Sequence, residues 1–268
     1  MALHLLNQQP PSGQDKPEQV ALHLKQAINN LKGDFYDLET GGVNYAAMKG
    51  SEGFENYKAS AALLQRFDLN LLQSQAAKLA FWINIYNALT VHGIVELGVN
   101  NSVREISHFF ENVAYQIGDQ TFSLDQIEHG ILRGNQKKHL FARRPFGSKD
   151  PRAAHVLPVL EPRIHFTLVC GSKSCPPIGT YQEEKIEDQL KLAASSFVNS
   201  DNVVLDRAKH KLSLSKILDW YGKDFGDKAA LIRFLAEYRK SPDDKAFLLE
   251  QGTRLAVSYQ EYDWSLNH

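Results

Sequence analysis

The stretch Val113-Ala114-Tyr115-Gln116-Ile117-Gly118-Asp119-Gln120-Thr121-Phe122-Ser123-Leu124-Asp125-Gln126-Ile127-Glu128-His129-Gly130-Ile131-Leu132-Arg133 decides the fold class. Val113–Ile117 and Gln120–Ser123 flank Gly118-Asp119, which reads as a two-residue hairpin turn. Ser123, with Gln126 three residues on, forms a capping box that opens a short helix, and Gly134 closes that helix after Arg133. A hairpin that feeds directly into a helix belongs to an α+β chain rather than to an all-helical or all-strand one.

Upstream, the strongest helical pattern runs from Gln73 to Leu97 and ends at Gly98. Asn84 and Asn87 are three apart there and share a face. The apolar run from Ala80 to Val99 also holds His92 and Glu96, costly in lipid and ordinary in a buried helix, so no membrane span is expected. Further helices are expected at Glu18–Leu31, ended by Gly33, and near Tyr57–Arg66. Downstream, residues 136–162 form a long basic, proline-bearing loop. Arg163–Cys170 reads as a buried strand, and Gly171–Pro177 as an irregular loop. Thr180 with Glu183 offers a second capping box for a helix to about Asn199. A hairpin at Val203–Leu205 and Lys211–Leu214 follows, then helices capped by Ser215 and over Lys228–Lys240, and a strand at Arg254–Tyr259. Residues 1–16 are expected to be a flexible lead-in. Residues 17–268 are expected to be one α+β domain, mostly helical with a small mixed or antiparallel sheet; a permuted papain-like arrangement is one candidate.

Composition narrows the function. The 268 residues carry 30 Lys+Arg against 31 Asp+Glu, and this balance argues against a general nucleic-acid or anionic-membrane binder. Two cysteines, Cys170 and Cys175, exclude a disulfide framework and a four-thiolate zinc site. Phosphate-binding glycine loops, the Gly-x-Ser-x-Gly elbow and His-Glu-x-x-His are absent. The start has no basic segment ahead of an apolar one, so a cytoplasmic home is favoured, with export open if a leader has been cleaved. No cofactor or metal is implied. The partner expected is a small-molecule or peptide substrate.

The reactive side chains fall into two groups. On the short helix, His129 lies four residues from both Asp125 and Arg133, and a histidine near carboxylates suits general-base work. The alternative is a histidine that pairs structurally. Read as a strand, Arg163 to Val169 places Arg163, His165 and Thr167 on one face, toward a cleft. Cys175 then stands in a loop before a helix, where backbone N–H groups and a histidine would favour its nucleophilic thiolate. Cys170, at the end of an apolar segment, reads as packing. Cys-x4-Cys is neither the spacing of a redox dithiol nor that of a zinc knuckle. Lys137, Lys138, Arg143, Arg144, Lys149 and Arg152 form a solvated basic loop or a contact for something anionic.

Phe81-Trp82-Ile83-Asn84-Ile85-Tyr86-Asn87-Ala88-Leu89, then Ser123 to Arg133, Pro151-Arg152, Arg163-Ile164-His165-Phe166 and Ser174-Cys175-Pro176-Pro177 resemble, in order and spacing, the family catalogued as domain of unknown function 547. The resemblance is clearest over about residues 40–181. Tyr45 and the terminal Tyr262-Asp263-Trp264-Ser265-Leu266-Asn267 also look like family features, while residues 136–162 are longer and more basic than the family pattern. It carries over Asn84, Asn87, Glu128, His129, Arg133, His165, Ser174 and Cys175, and leaves the activity open. Some plant members look fused to a glutaredoxin-like domain, which points toward thiol chemistry.

Three functions follow, in order. The first is a cysteine-dependent hydrolase or acyl transferase. In it Cys175 is the nucleophile, His165 or His129 the base, Glu128 the orienting group, and Asn84, Asn87, Arg133 and Ser174 support the site. The second is a non-catalytic interaction or scaffold domain whose polar residues form a structural network. The third is thiol redox or metal binding through Cys170 and Cys175.

Overall fold

The hairpin forms with the register that the sequence sets. The structure, a computed structural model, describes residues 3–12, 17–37 and 40–268. Strand β1 (His4–Leu5) precedes α1 (Pro17–Phe35), α2 (Tyr45–Met48), α3 (Glu52–Ala62), α4 (Gln75–Glu96) and α5 (Phe109–Asn112). Then β2 (Val113–Ile117) and β3 (Gln120–Ser123) pair antiparallel, Ile117 opposite Gln120, so that Gly118-Asp119 is the whole turn. Short β1 joins the free edge of β2 in parallel, His4 opposite Val113. Asn7 extends that edge: its side chain donates to Ala61 O and Gln116 O and accepts from Gln116 N. Of the lead-in expected at 1–16, residues 1, 2 and 13–16 lie outside the described residues.

The α+β class holds: the described residues are about half helical and form two three-stranded mixed sheets. Helix α4 starts where Ser74 Oγ accepts from Ala77 N. From Leu79 to Val95 nearly every side chain is buried, as expected of a helix that is apolar around its whole circumference. No helix among the described residues is long and apolar enough to cross a membrane.

Two compact units emerge. One takes in the chain up to Leu160, Leu168–Ile186 and Trp264–His268; the other is Glu161–Thr167 with Glu187–Asp263. The second unit contains most of α6 (Ile186–Val198), then β4 (Val203–Asp206), β5 (Lys211–Leu214), α7 (Ile217–Trp220), α8 (Lys228–Tyr238), α9 (Pro242–Gln251) and β6 (Ala256–Tyr259). Strand β5 pairs antiparallel with β4 and parallel with β6. Its core gathers Phe166, Phe197, Leu212, Leu218 and Leu235, with Phe166 stacked on Phe197 at 4.2 Å.

Three local expectations are corrected. Residues 163–170 are not a strand: Pro162–Phe166 is a 3-10 turn. The Glu161 carboxylate accepts from Arg163 N, proline occupies the first position, and Thr167 Oγ1 donates to Ile164 O, so local bonds take the place of a ladder. Helix α1 runs through Gly33 to Phe35. The box expected from Thr180 and Glu183 is not made, because Thr180 Oγ1 donates to Asn29 and Glu183 accepts from Ser74 Oγ. A 3-10 turn, Glu183–Lys185, precedes α6 instead.

Candidate functional site

In the first unit, α4 holds the cysteine loop through its two asparagines. Asn87, fully buried, accepts from Val169 N at 3.0 Å. One turn earlier, Asn84 makes a two-way amide pair with the backbone of Tyr181: Nδ2 donates to O at 2.8 Å and Oδ1 accepts from N at 2.9 Å. The shared face read from the sequence thus clamps both ends of the 169–181 segment. At its start, Gly171 has φ +77°, a conformation that favours glycine, and a Cβ there would also lie 2.3 Å from Ile94 Cδ1 on α4, which would have to shift.

The loop then folds back on itself. Cys175 N donates to Ser172 O at 3.0 Å, and this turn brings Cys175 Sγ to 2.8 Å from Cys170 Sγ. That is closer than two non-bonded carbons pack, about 3.5–4.0 Å. Both cysteines are free thiols and half-buried. Cys170 N donates to Cys175 Sγ at 2.8 Å, and Cys170 Sγ lies 3.1 Å from Ser172 Oγ. Ser174 sits half-buried in the same turn.

The chain terminus completes the frame. Lys173 N donates to Ser265 O and Asn267 N to Gly171 O, so Ser265–Asn267 lies along the cysteine loop. The Tyr45 hydroxyl donates to Asn267 Oδ1 at 2.8 Å. Burial, then the neighbouring Tyr36, Cys175 and Cys170, raise its pKa well above the ordinary phenol value, so it stays a neutral donor beside the thiols.

Glu128 and His129 lie on a π-helix, Gln126–Leu132, and Arg133 caps its C-terminal end. The capping box forms as expected: Ser123 N donates to Gln126 Oε1 and Gln126 N to Ser123 Oγ. Arg152 fastens it by donating to Gln126 Oε1 and Thr121 O while gripping Asp150. Arg133 N reaches back five residues to Glu128 O, the wider π spacing. Arg133 Nη1 donates to His129 Nδ1 at 2.8 Å; because a guanidinium cannot accept, the network assigns the His129 proton to Nε2. Glu128 Oε2 accepts from the Tyr86 hydroxyl at 3.1 Å, and its Oε1 lies 3.6 Å from His129 Nδ1.

Burial holds the His129 pKa below the ordinary imidazole value, against the pull of Glu128 and Asp125. The ring is therefore neutral, and Asp125, 3.9 Å from Nε2, is not half of an ion pair with it. Burial also raises the Asp125 carboxyl, while His129 and Lys138 act against that rise. The lone pair that a general base would use is already engaged by Arg133.

His165 belongs to the second unit. On the 3-10 turn it does not share a cleft face with Arg163. Arg163 is bound by the carboxylates of Glu161 and Glu187, whereas His165 is buried, with Nε2 2.8 Å from Asp224 Oδ2 and the ring stacked on Tyr221 at 4.0 Å. The strand alternation failed here because the segment is not extended.

The sequence reading missed the partners rather than the principals. Tyr86 for Glu128 and Asp224 for His165 carry no local signal, since 42 and 59 residues separate the pairs. Tyr45 and the terminal Ser-Leu-Asn were visible only as matching family features. Residues 70–198 match the family described as protein of unknown function, DUF547. No curated protein and no solved structure matches the chain.

Proposed function

Residues 70–198 belong to the DUF547 family of proteins of unknown function, and from that premise we propose that the chain is a thiol–disulfide exchange protein whose reactive pair is Cys175 and Cys170. The observation that carries this reading is the 2.8 Å separation of the two sulfurs in a half-buried loop. The Cys-x4-Cys spacing argues against a dithiol on its own, but the Ser172–Cys175 turn closes it.

Cys175 is the attacking thiol, because the Cys170 N–H aimed at its sulfur solvates a thiolate there. Its thiolate attacks one sulfur of a substrate disulfide. A mixed disulfide forms, the substrate S–S bond breaks, and the departing thiolate takes up the proton that Cys175 lost. Cys170 then attacks Cys175 Sγ, releasing the second substrate thiol, which takes the Cys170 proton. Two electrons pass to the substrate and the pair is left as a Cys170–Cys175 disulfide. A dithiol reductant returns it by the reverse steps.

Equilibration in glutathione redox buffers, followed by acid quenching and mass analysis, tests this. The expected product is one intramolecular disulfide, reversed by a dithiol, with Cys170→Ser accumulating a glutathione adduct on Cys175. Two free thiols in oxidised buffer, or separate adducts on each cysteine of the wild type, would sink it. Acyl transfer by Cys175, with Glu128 and a histidine in support, makes no use of Cys170. Undiminished turnover of a thioester by Cys170→Ser would favour that reading instead.

A further inference from the structure

The basic loop that follows the π-helix has a form that composition does not reveal. Phe141 is 90% exposed and Leu140 71%, the highest values among the exposed large hydrophobic residues described. They are adjacent, and Ala142 N donates to His139 O at 3.0 Å, so both occupy the corners of a turn. Corner positions favour glycine, proline and small polar residues; leucine and phenylalanine there present apolar surface to water at a measurable cost.

The loop is held at its base. Asn135 clamps Phe146 through both backbone groups, Nδ2 to O at 2.9 Å and N to Oδ1 at 3.0 Å, and the Phe146 ring is buried. Arg144 Nη1 donates to Asn135 O, and Lys138 is tied to Glu111 and Asp125. The tip is therefore displayed by a closed Ω-like loop. Lys137, Lys138, Arg143 and Arg144 flank it in the chain and Lys149 follows the base, with no acidic residue between Glu128 and Asp150. Lys137, Arg143 and Lys149 are exposed and enter no ion pair among the described residues.

We propose that this loop docks the protein on an anionic lipid surface, with Leu140 and Phe141 entering the headgroup–acyl boundary and the surrounding cations contacting the headgroups. Two side chains supply far less area than the roughly 800 Å² per partner of a specific protein interface. A bilayer demands no complementary shape, only an apolar tip and positive charge around it.

Co-sedimentation of the full chain with vesicles tests the assignment. Vesicles with about one part phosphatidylserine to two of phosphatidylcholine should bind at least roughly tenfold more tightly than phosphatidylcholine alone, and added salt should remove the difference. The Leu140→Asp/Phe141→Asp double variant and the Lys137→Glu/Arg143→Glu double variant should each lose roughly tenfold. Both alter exposed positions, and unchanged circular dichroism would verify their folding. In a separate variant, Phe141→Trp, emission should shift to the blue on phosphatidylserine vesicles by more than in the wild type. Equal binding to both vesicle types, no binding to either, or wild-type binding by Leu140→Asp/Phe141→Asp overturns the proposal. So does capture by polyglutamate in place of the vesicles, which would assign the loop to an acidic protein.

Discussion

His92 shows at the scale of one residue how burial sets a property that the sequence only hints at. The Tyr57 hydroxyl donates to Ala88 O, and the Tyr115 hydroxyl, 2.6 Å from it, donates to Tyr57. The chain of single protons therefore leaves His92 Nδ1–H as the donor to the Tyr115 oxygen at 2.7 Å. Burial, reinforced by nearby Lys58, drives the His92 pKa from 6.5 to about 3. Below pH 6.5 the unfolded chain takes up a proton that the folded chain refuses, so stability from this site is complete above pH 6.5 and is lost as pH falls toward 3. Between pH 6.5 and 5 the loss is about 2 kcal/mol. Urea titrations at both pH values should show a decline larger in the wild type than in His92→Gln by about that amount, since His129, also held low by burial, contributes to both; an equal decline in the two would refute the assignment. Asn84 and Asn87 were legible as a shared polar face because helical spacing alone places them. What they grip was not, since Val169 and Tyr181 meet them only through the tertiary fold.

At the scale of elements, legibility followed the locality of the bonds. The β2–β3 hairpin, its turn and the Ser123–Gln126 box depend on neighbours in sequence and formed as read. The π-helix after them reads in the sequence as an ordinary helix, because five-residue spacing leaves no periodic apolar signature. Packing fixes the glycine within it. A Cβ on Gly130 would lie 2.5 Å from Cε2 and 2.6 Å from Cζ of the buried Phe146 ring. Gly130→Ala should therefore cost about 1–3 kcal/mol by overpacking, despite the better helical propensity of alanine. The second variant Phe146→Leu, added to Gly130→Ala, should recover part of that loss, measured as a positive coupling in denaturant titrations. Additive losses would mean that the ring does not set the requirement. Strand β1 escaped notice because two residues carry no pattern. Residues 163–170 misled in the opposite direction: their β-branched and aromatic content fits a strand, yet the Glu161 cap and Pro162 fix a 3-10 turn first. Helix α9 begins with Ser241 as cap and Pro242 behind it, a legible start blurred by a weak apolar pattern.

At the scale of the molecule, a net charge of −1 averages away the loop at 137–149, which holds five Lys and Arg and no acid. Whole-chain composition excluded general anionic binding and was silent on a local surface. The sequence likewise carried no composition shift to mark a boundary, and the two units are not successive stretches of chain: the backbone passes between them at 160–161, 167–168, 186–187 and 263–264. Each unit is thus completed by segments whose ends are tethered in the other. Pro162–Phe166 is the sharpest case, since it delivers Phe166 into the second core from a loop that leaves and re-enters the first unit. Unfolding of either unit slackens the tethers that fix the other's inserted segments, and a chain so interleaved should unfold as one cooperative domain. Calorimetry should then give a single transition with equal calorimetric and van't Hoff enthalpies. Phe166→Ala, which removes a ring stacked at 4.2 Å on Phe197, should cost about 3–5 kcal/mol and lower that one transition as a whole. In hydrogen exchange the slowest amides of β2 and of β5 should lose protection together. Two resolved transitions, or loss of protection confined to β5, would divide the chain into two independent domains and refute the single-domain reading.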